Sequence, residues 1–129
     1  MALSKTSTKI LDNKTANASS STTASECTAV DLSSAIQMAI DVEMTFNASA
    51  TLGATVKVYA SDDNINWDSS THPYDQFDVA VSAGNAVKVH FAILPAPKYI
   101  RVLVTNLDTT YSITAISVYS IPQIASDPS

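Results

Sequence analysis

Glycine is nearly missing from this chain: 129 residues contain two. Turns that need a positive φ must therefore be built mostly from Asn, Asp and Ser. Cysteine is scarcer still. Cys27 stands alone, which excludes an internal disulfide and any zinc site built from several cysteines. Charge is thin, at 15% Asp, Glu, Lys and Arg, and Arg101 is the one arginine. The balance is acidic, with 7 basic against 12 acidic residues and a formal net charge of -5. Phosphate binding needs clustered Lys and Arg, so nucleic acid is not an expected partner. No apolar run approaches the ~18–20 residues of a membrane-spanning helix, and no membrane partner is expected. Met1 to Ala18 contains no apolar stretch of the kind a Sec signal peptide carries.

What is present is 46% hydrophobic residues, enough for a core, in a length that suits one domain. Ser, Thr and Ala make up about two-fifths of the chain. The segment Lys5 to Glu26 is nearly all small and polar, with one apolar pair, Ile10-Leu11. It cannot bury enough surface to offset its own ordering entropy. Residues 1–25 are thus expected to form an extended arm, docked on its own domain or on a neighbouring subunit. Ile10 and Leu11 would be its contact residues, and removing the arm should leave the domain folded. Residues 122–129 invite the same reading as a C-terminal tail.

The domain between them, residues 26–121, reads as strands. Ile36, Met38, Ile40, Val42, Met44 and Phe46 alternate with Gln37, Ala39, Asp41, Glu43, Thr45 and Asn47. That is period 2 over a long half-buried strand. Further strands are expected at Ala54 to Ala60, Gln76 to Val81, Val87 to Ile93, Tyr99 to Thr105 and Tyr111 to Ile121, with an earlier one near Cys27 to Leu32. Gly84 supplies a positive φ in Ser82-Ala83-Gly84-Asn85, and Pro95-Ala96-Pro97 ends a strand. Asp31 to Ala35 is the one place a helical turn is expected. The fold class is all-β: an antiparallel sandwich or jelly roll of about seven to eight strands.

Few residues are arranged for chemistry. Asp62, Asn64, Asn66 and Asp68 fit the first alternating positions of a calcium loop. Trp67 stands where the sharp-turn glycine belongs and Pro73 where the bidentate Glu belongs. The carboxylates are better read as caps on their own turns, with Trp67 covering one end of the domain. No metal site, cofactor or catalytic residue is assigned. There is no G-x-S-x-G elbow, H-E-x-x-H pair or P-loop, and Cys27 reads as a buried, inert thiol. Trp67 with Tyr59, Tyr74 and Tyr99 offers aromatic faces on which a sugar could stack. Arg101, between Tyr99 and Leu103 on the same strand, is a candidate surface contact. Asp41 and Glu43 offer charges that either pair across strands or match another subunit.

One order of features carries a resemblance. V-K-V-Y-A-S runs into D-D-N-I-N-W-D and P-Y-D-Q-F-D; then come P-K-Y-I-R-V-L-V-T-N-L-D and S-I-T-A-I-S-V-Y. Over about half the chain this resembles small β-sandwich virion proteins of tailed bacteriophages, the decoration or accessory proteins of capsid, neck or tail. In that group an S-x-D-G-x-x-W/Y-D turn follows a long aliphatic strand. Here Asn64 replaces the glycine, a swap suited to positive φ. The resemblance implies a non-enzymatic structural protein of the virion, assembled in the host cytoplasm. It also implies a homo-oligomer, a trimer by analogy, that binds a major capsid or tail protein. The alternative is a carbohydrate-binding or adhesion module that uses Trp67 and nearby tyrosines on a host glycan.

Overall fold

The computed structural model describes residues 2–126. Met1 and residues 127–129, the end of the expected tail, lie outside the described residues. Nine strands follow one another: β1 (Ala2–Lys5), β2 (Thr8–Ala16), β3 (Val30–Asp31), β4 (Ala35–Phe46), β5 (Ala54–Ser61), β6 (Asp75–Val79), β7 (Ala86–Ile93), β8 (Tyr99–Asn106) and β9 (Ile113–Ser126). One sheet runs β1-β9-β4-β7, with β2 also on the free edge of β9, and the other runs β3-β8-β5-β6. All pairings between these strands are antiparallel. Leaving β1 aside, two four-stranded sheets with this order make a jelly roll.

The core follows from alternation. Ile40, Val42, Met44 and Phe46 of β4 meet Val56 and Val58 of β5 and Ile100, Val102 and Val104 of β8; all are buried. β-branched residues dominate here because their stiff side chains pack well on a pleated surface. Phe77 of β6 stacks on Phe91 of β7, with ring centroids 4.3 Å apart, and so closes one side between the sheets.

Several expectations change. Residues 2–16 take the own-domain form of the expected arm: β1 and β2 pair along β9 of the same chain. Ile10 and Leu11 do not wait for a neighbour but lie buried in the chain's own core, at 5% and 1% exposure. The reason is a bulge. The β2–β9 register shifts between Lys9 and Leu11, so two consecutive side chains can turn inward where strict pleating allows one. Removing residues 2–25 would strip an edge from β9 and open this core, so the truncated domain is not expected to stay intact.

The C-terminal segment also belongs to the sheet. β9 continues through Pro122, which pairs with Met38, as far as Ser126. Ile36 departs from the alternation of β4 and is 50% exposed. The β4–β9 register shifts between Ala35 and Gln37, and that irregularity releases Ile36 from the inner face. Asp31 to Ala35 contains a turn, while among the described residues the one short 3-10 turn is Ala24–Glu26. There the Thr23 N–H donates to Glu26 Oε1 at 2.7 Å. The strand expected near Cys27 to Leu32 is cut to Val30–Asp31.

Candidate functional site

β5 and β8 lie side by side, and their register puts Tyr59 opposite Arg101 and Ser61 opposite Tyr99. These residues share the face of the sheet turned away from the core, because their neighbours Val58, Ile100 and Val102 point inward. After Ser61 the chain turns through residues 62–66 and returns at Trp67, which bridges to Ser61. The turn is built on Asp63. Its Oδ1 accepts from the Ile65 N–H at 2.9 Å and the Asn66 N–H at 2.8 Å, and its Oδ2 accepts from Asn66 Nδ2 at 2.8 Å. The Ser61 hydroxyl donates to the Asn66 carbonyl at 2.6 Å and accepts from the Asn64 N–H at 3.0 Å. Asn64 adopts φ 61°, the left-handed conformation expected of a glycine replacement.

The returning segment delivers Trp67 over Arg101. The guanidinium carbon lies 4.3 Å from the centre of the Trp67 ring, a cation–π stack. Asp68 follows, and its Oδ2 accepts from the Ala60 N–H at 2.9 Å. Tyr59 donates its hydroxyl to the Ser70 carbonyl at 3.3 Å, which ties the same segment to β5. Burial pushes the Tyr59 phenol up, against the opposing charge of Arg101. Tyr59, Asp68, Ser70, Arg101 and Leu103 line an open groove of about 190 Å³. Arg101 forms no salt bridge or hydrogen bond among the described residues, and its Nε is enclosed without an acceptor.

Of the four residues expected to form a sugar platform, Tyr59 and Trp67 meet around the contact candidate Arg101, while Tyr74 and Tyr99 have other partners. Tyr74 lies beyond this loop and donates its hydroxyl to the Leu94 carbonyl at 2.7 Å. Tyr99 carries Lys98 over its ring at 5.7 Å. One face of Trp67 is covered by Arg101, and Tyr59 is 7% exposed. Arg101 thus occupies one of the two Trp67 faces on which a sugar could stack, and Tyr59 offers little open ring. Of Asp62, Asn64, Asn66 and Asp68, Asp68 accepts from the Ala60 N–H and Asn66 donates its Nδ2 to Asp63. Among the described residues no three His, Cys, Asp or Glu side chains converge.

The outer face of the other sheet is organised differently. Asp41, opposite both His90 and Tyr119, is buried yet reaches Lys88 Nζ at 3.2 Å and His90 Nε2 at 3.7 Å; Glu43 takes the same lysine at 3.5 Å. These charges pair within the chain. Cys27 is buried, and its thiol is pushed up by that burial, with the Val102 N–H and the Arg101 charge acting in the other direction.

A second carboxylate escaped the sequence reading. Asp108, in the turn after β8, is 3% exposed. Its Oδ2 accepts from the Thr51 N–H at 2.9 Å, and its Oδ1 accepts from the Thr110 and Tyr111 N–H groups at 2.8 and 2.9 Å. Asn106 extends the knot through its Nδ2, which donates to the carbonyls of Ala16 at 3.2 Å and Tyr111 at 2.8 Å. The signal in the sequence was Asn106-Leu107-Asp108 closing a β-strand, a common turn composition that does not announce a distant partner.

The fold has a structural neighbour. A solved structure of Bacillus endospore appendages, described as a novel family of disulfide-linked pili, superposes with a TM-score of 0.52. The match covers 96% of this chain and 89% of that one, at 11% sequence identity. At that identity the likeness establishes a shared all-β architecture. No protein-family model matches the chain. No curated protein matches it.

Proposed function

We propose that this chain is a non-enzymatic structural subunit that associates with copies of itself on the surface of a particle or appendage. The observation that carries this reading is the whole-domain match to an appendage protein, which spans nearly all of both chains. A jelly roll hosts many functions, so the fold is an analogy and the site must be consistent with it. It is consistent: Asp63, Asp68 and Asp108 spend carboxylate oxygens on backbone N–H groups. His72 sits 2.9 Å from the Thr71 hydroxyl in a loop. These groups build the scaffold. The phage virion resemblance and the appendage likeness both support a structural role and differ in the assembly, and a virion location is the narrower form of the proposal. Because Cys27 is buried, contacts made through this domain are noncovalent.

Sedimentation velocity and negative-stain microscopy across a range of concentration test this reading. Oligomers or filaments are expected. A monomer at every concentration, together with no binding to purified capsids, would remove it. A glycan array addresses the module alternative: specific binding lost in Trp67→Ala would favour a carbohydrate role instead.

A further inference from the structure

We infer that the Tyr59–Asp68–Arg101 groove is a socket for a second copy of this chain, and that the element it receives is the exposed Lys9–Asp12 pair of β2. The inference rests on the self-association proposed above and gives it a contact. Three observations carry it.

The first is an unspent cation. Arg101 is held flat against Trp67 at 4.3 Å, so its orientation is fixed before any partner arrives. It meets no acceptor among the described residues. A stacked guanidinium still presents its in-plane N–H edge, which suits a carboxylate. The second is size and sign. The groove holds about 190 Å³, below the ~300–1,000 Å³ of small-molecule pockets, and it suits one or two side chains. It presents a donor, Arg101, beside an acceptor, Asp68. A lone carboxylate would feel Asp68 as repulsion, whereas a paired cation and anion satisfies both. Trp, Tyr and Arg around such a pocket are the residues that dominate protein contacts.

The third is the complement. Lys9 and Asp12 form a 3.1 Å ion pair with side chains 40% and 70% exposed. Among the described residues it is the salt bridge with the more open carboxylate, since Asp41 and Glu43 are 8% and 34% exposed in theirs. The pair stands on β2, in the other sheet from Arg101, and among the described residues Arg101 makes no ion pair with it within the chain. Asp12 would face Arg101 and Lys9 would face Asp68. A contact between two different surfaces is head-to-tail, and it builds rings or filaments.

Charge reversal tests this with the full chain. Arg101→Asp and Asp12→Arg are each expected to weaken self-association at least about tenfold, because each places like charges in the socket. Mixing the two variants restores matched contacts and should restore assembly, as should the double variant Asp12→Arg with Arg101→Asp. Thermal melts establish that each variant is folded, and Arg101→Gln, which removes the cation without adding a charge, repeats the test should Arg101→Asp fail to fold. Wild-type-like assembly by folded Arg101→Gln or Arg101→Asp would overturn the socket while leaving self-association standing. So would folded single variants that stay apart on mixing. A wild-type chain that never associates would instead remove the functional reading beneath it. Acidic oligosaccharides that bind wild type, and not Arg101→Gln, without promoting assembly would also overturn the socket.

Discussion

Two aspartate-centred knots hold the two ends of β5 and do different work. At its end, Ser61, the chain enters the Asp63 turn; at its start, Ala54, it leaves a loop held by Asp108. Each carboxylate collects backbone N–H groups, and each is held well below the ordinary carboxylate range by them. For Asp63 the Asn66 and Ile65 N–H groups lead; for Asp108 the Thr51, Tyr111 and Thr110 N–H groups do. The difference is reach. Every bond to Asp63 comes from residues 61–66. Asp108 ties its own turn to Thr51, 57 residues away, while its backbone carbonyl accepts from the Ser19 N–H at 2.8 Å. One turn therefore shapes a loop, and the other fastens three loops into one end of the domain. A local knot can serve a surface site because its loosening leaves the core in place. A long-range knot belongs to the fold.

The largest expected effect is at the long-range knot. Asp108→Ala should lower Tm by roughly 10 °C or more, since several part-buried N–H groups lose a charged acceptor at once. Gly53→Ala should act in the same direction. A Cβ there meets the Val79 carbonyl oxygen and comes within 3.1 Å of the Val81 nitrogen, backbone that cannot swing aside. Circular dichroism melts measure both, and a change under roughly 3 °C for Asp108→Ala would erase the contrast between the turns.

The same carboxylate sets an acid limb. Its folded-state pKa is depressed, so the ionised form is the one the fold favours. Its contribution is complete above the unfolded value of about 4 and fades as pH falls through the lower folded value. Wild type should therefore lead Asp108→Asn most at pH 5 and above, and the gap in urea midpoints should close below about pH 4. A gap that stays constant into acid would show that the charge is not what ties the loops.

How much of this was legible follows the same division between near and far. The alternation of β4, the strands from β5 to β9, the positive φ at Asn64 and Gly84 and the capping role of the Asp63 turn all rest on neighbours in sequence. The edge strand β2 was not legible. Its bulges break the period of 2, and Asn13 at φ 49° breaks it again, so Ile10 and Leu11 read as an isolated apolar pair. Trp67 and Arg101 were each picked out as contact residues. That one covers the other depends on the β5–β8 register and on where the turn returns, and neither is written in local spacing. Asp108 failed for the same reason, because its partner Thr51 lies across the fold.

At the local knot a smaller and different loss is expected. Asp63→Ala should lower Tm by less than about 5 °C, because the core strands do not depend on it. Its effect should appear at the site. Trp67 is the one tryptophan of the chain, so its emission reports the stack on Arg101 directly. A red-shifted spectrum with a nearly unchanged melt is the expected result. A large loss of Tm would place Asp63 with Asp108 as a fastener of the fold.

The smallest effect tests the turn's backbone alone. Asn64 holds φ 61° with its side chain exposed, so the position asks for conformational freedom and little else. Asn64→Gly should change stability by less than about 0.5 kcal/mol, since glycine accepts this φ without strain but costs more entropy on ordering. Asn64→Val, whose branched Cβ opposes the left-handed region, should cost about 1–2 kcal/mol. The two variants share the loss of the amide and differ in backbone preference. Chemical denaturation followed by Trp67 emission measures both, and equal costs would mean that the amide, rather than φ, holds the residue in place. Unequal costs in the expected order would show that the turn which aims Trp67 at Arg101 is set by the backbone at Asn64, where this glycine-poor chain had to use another residue.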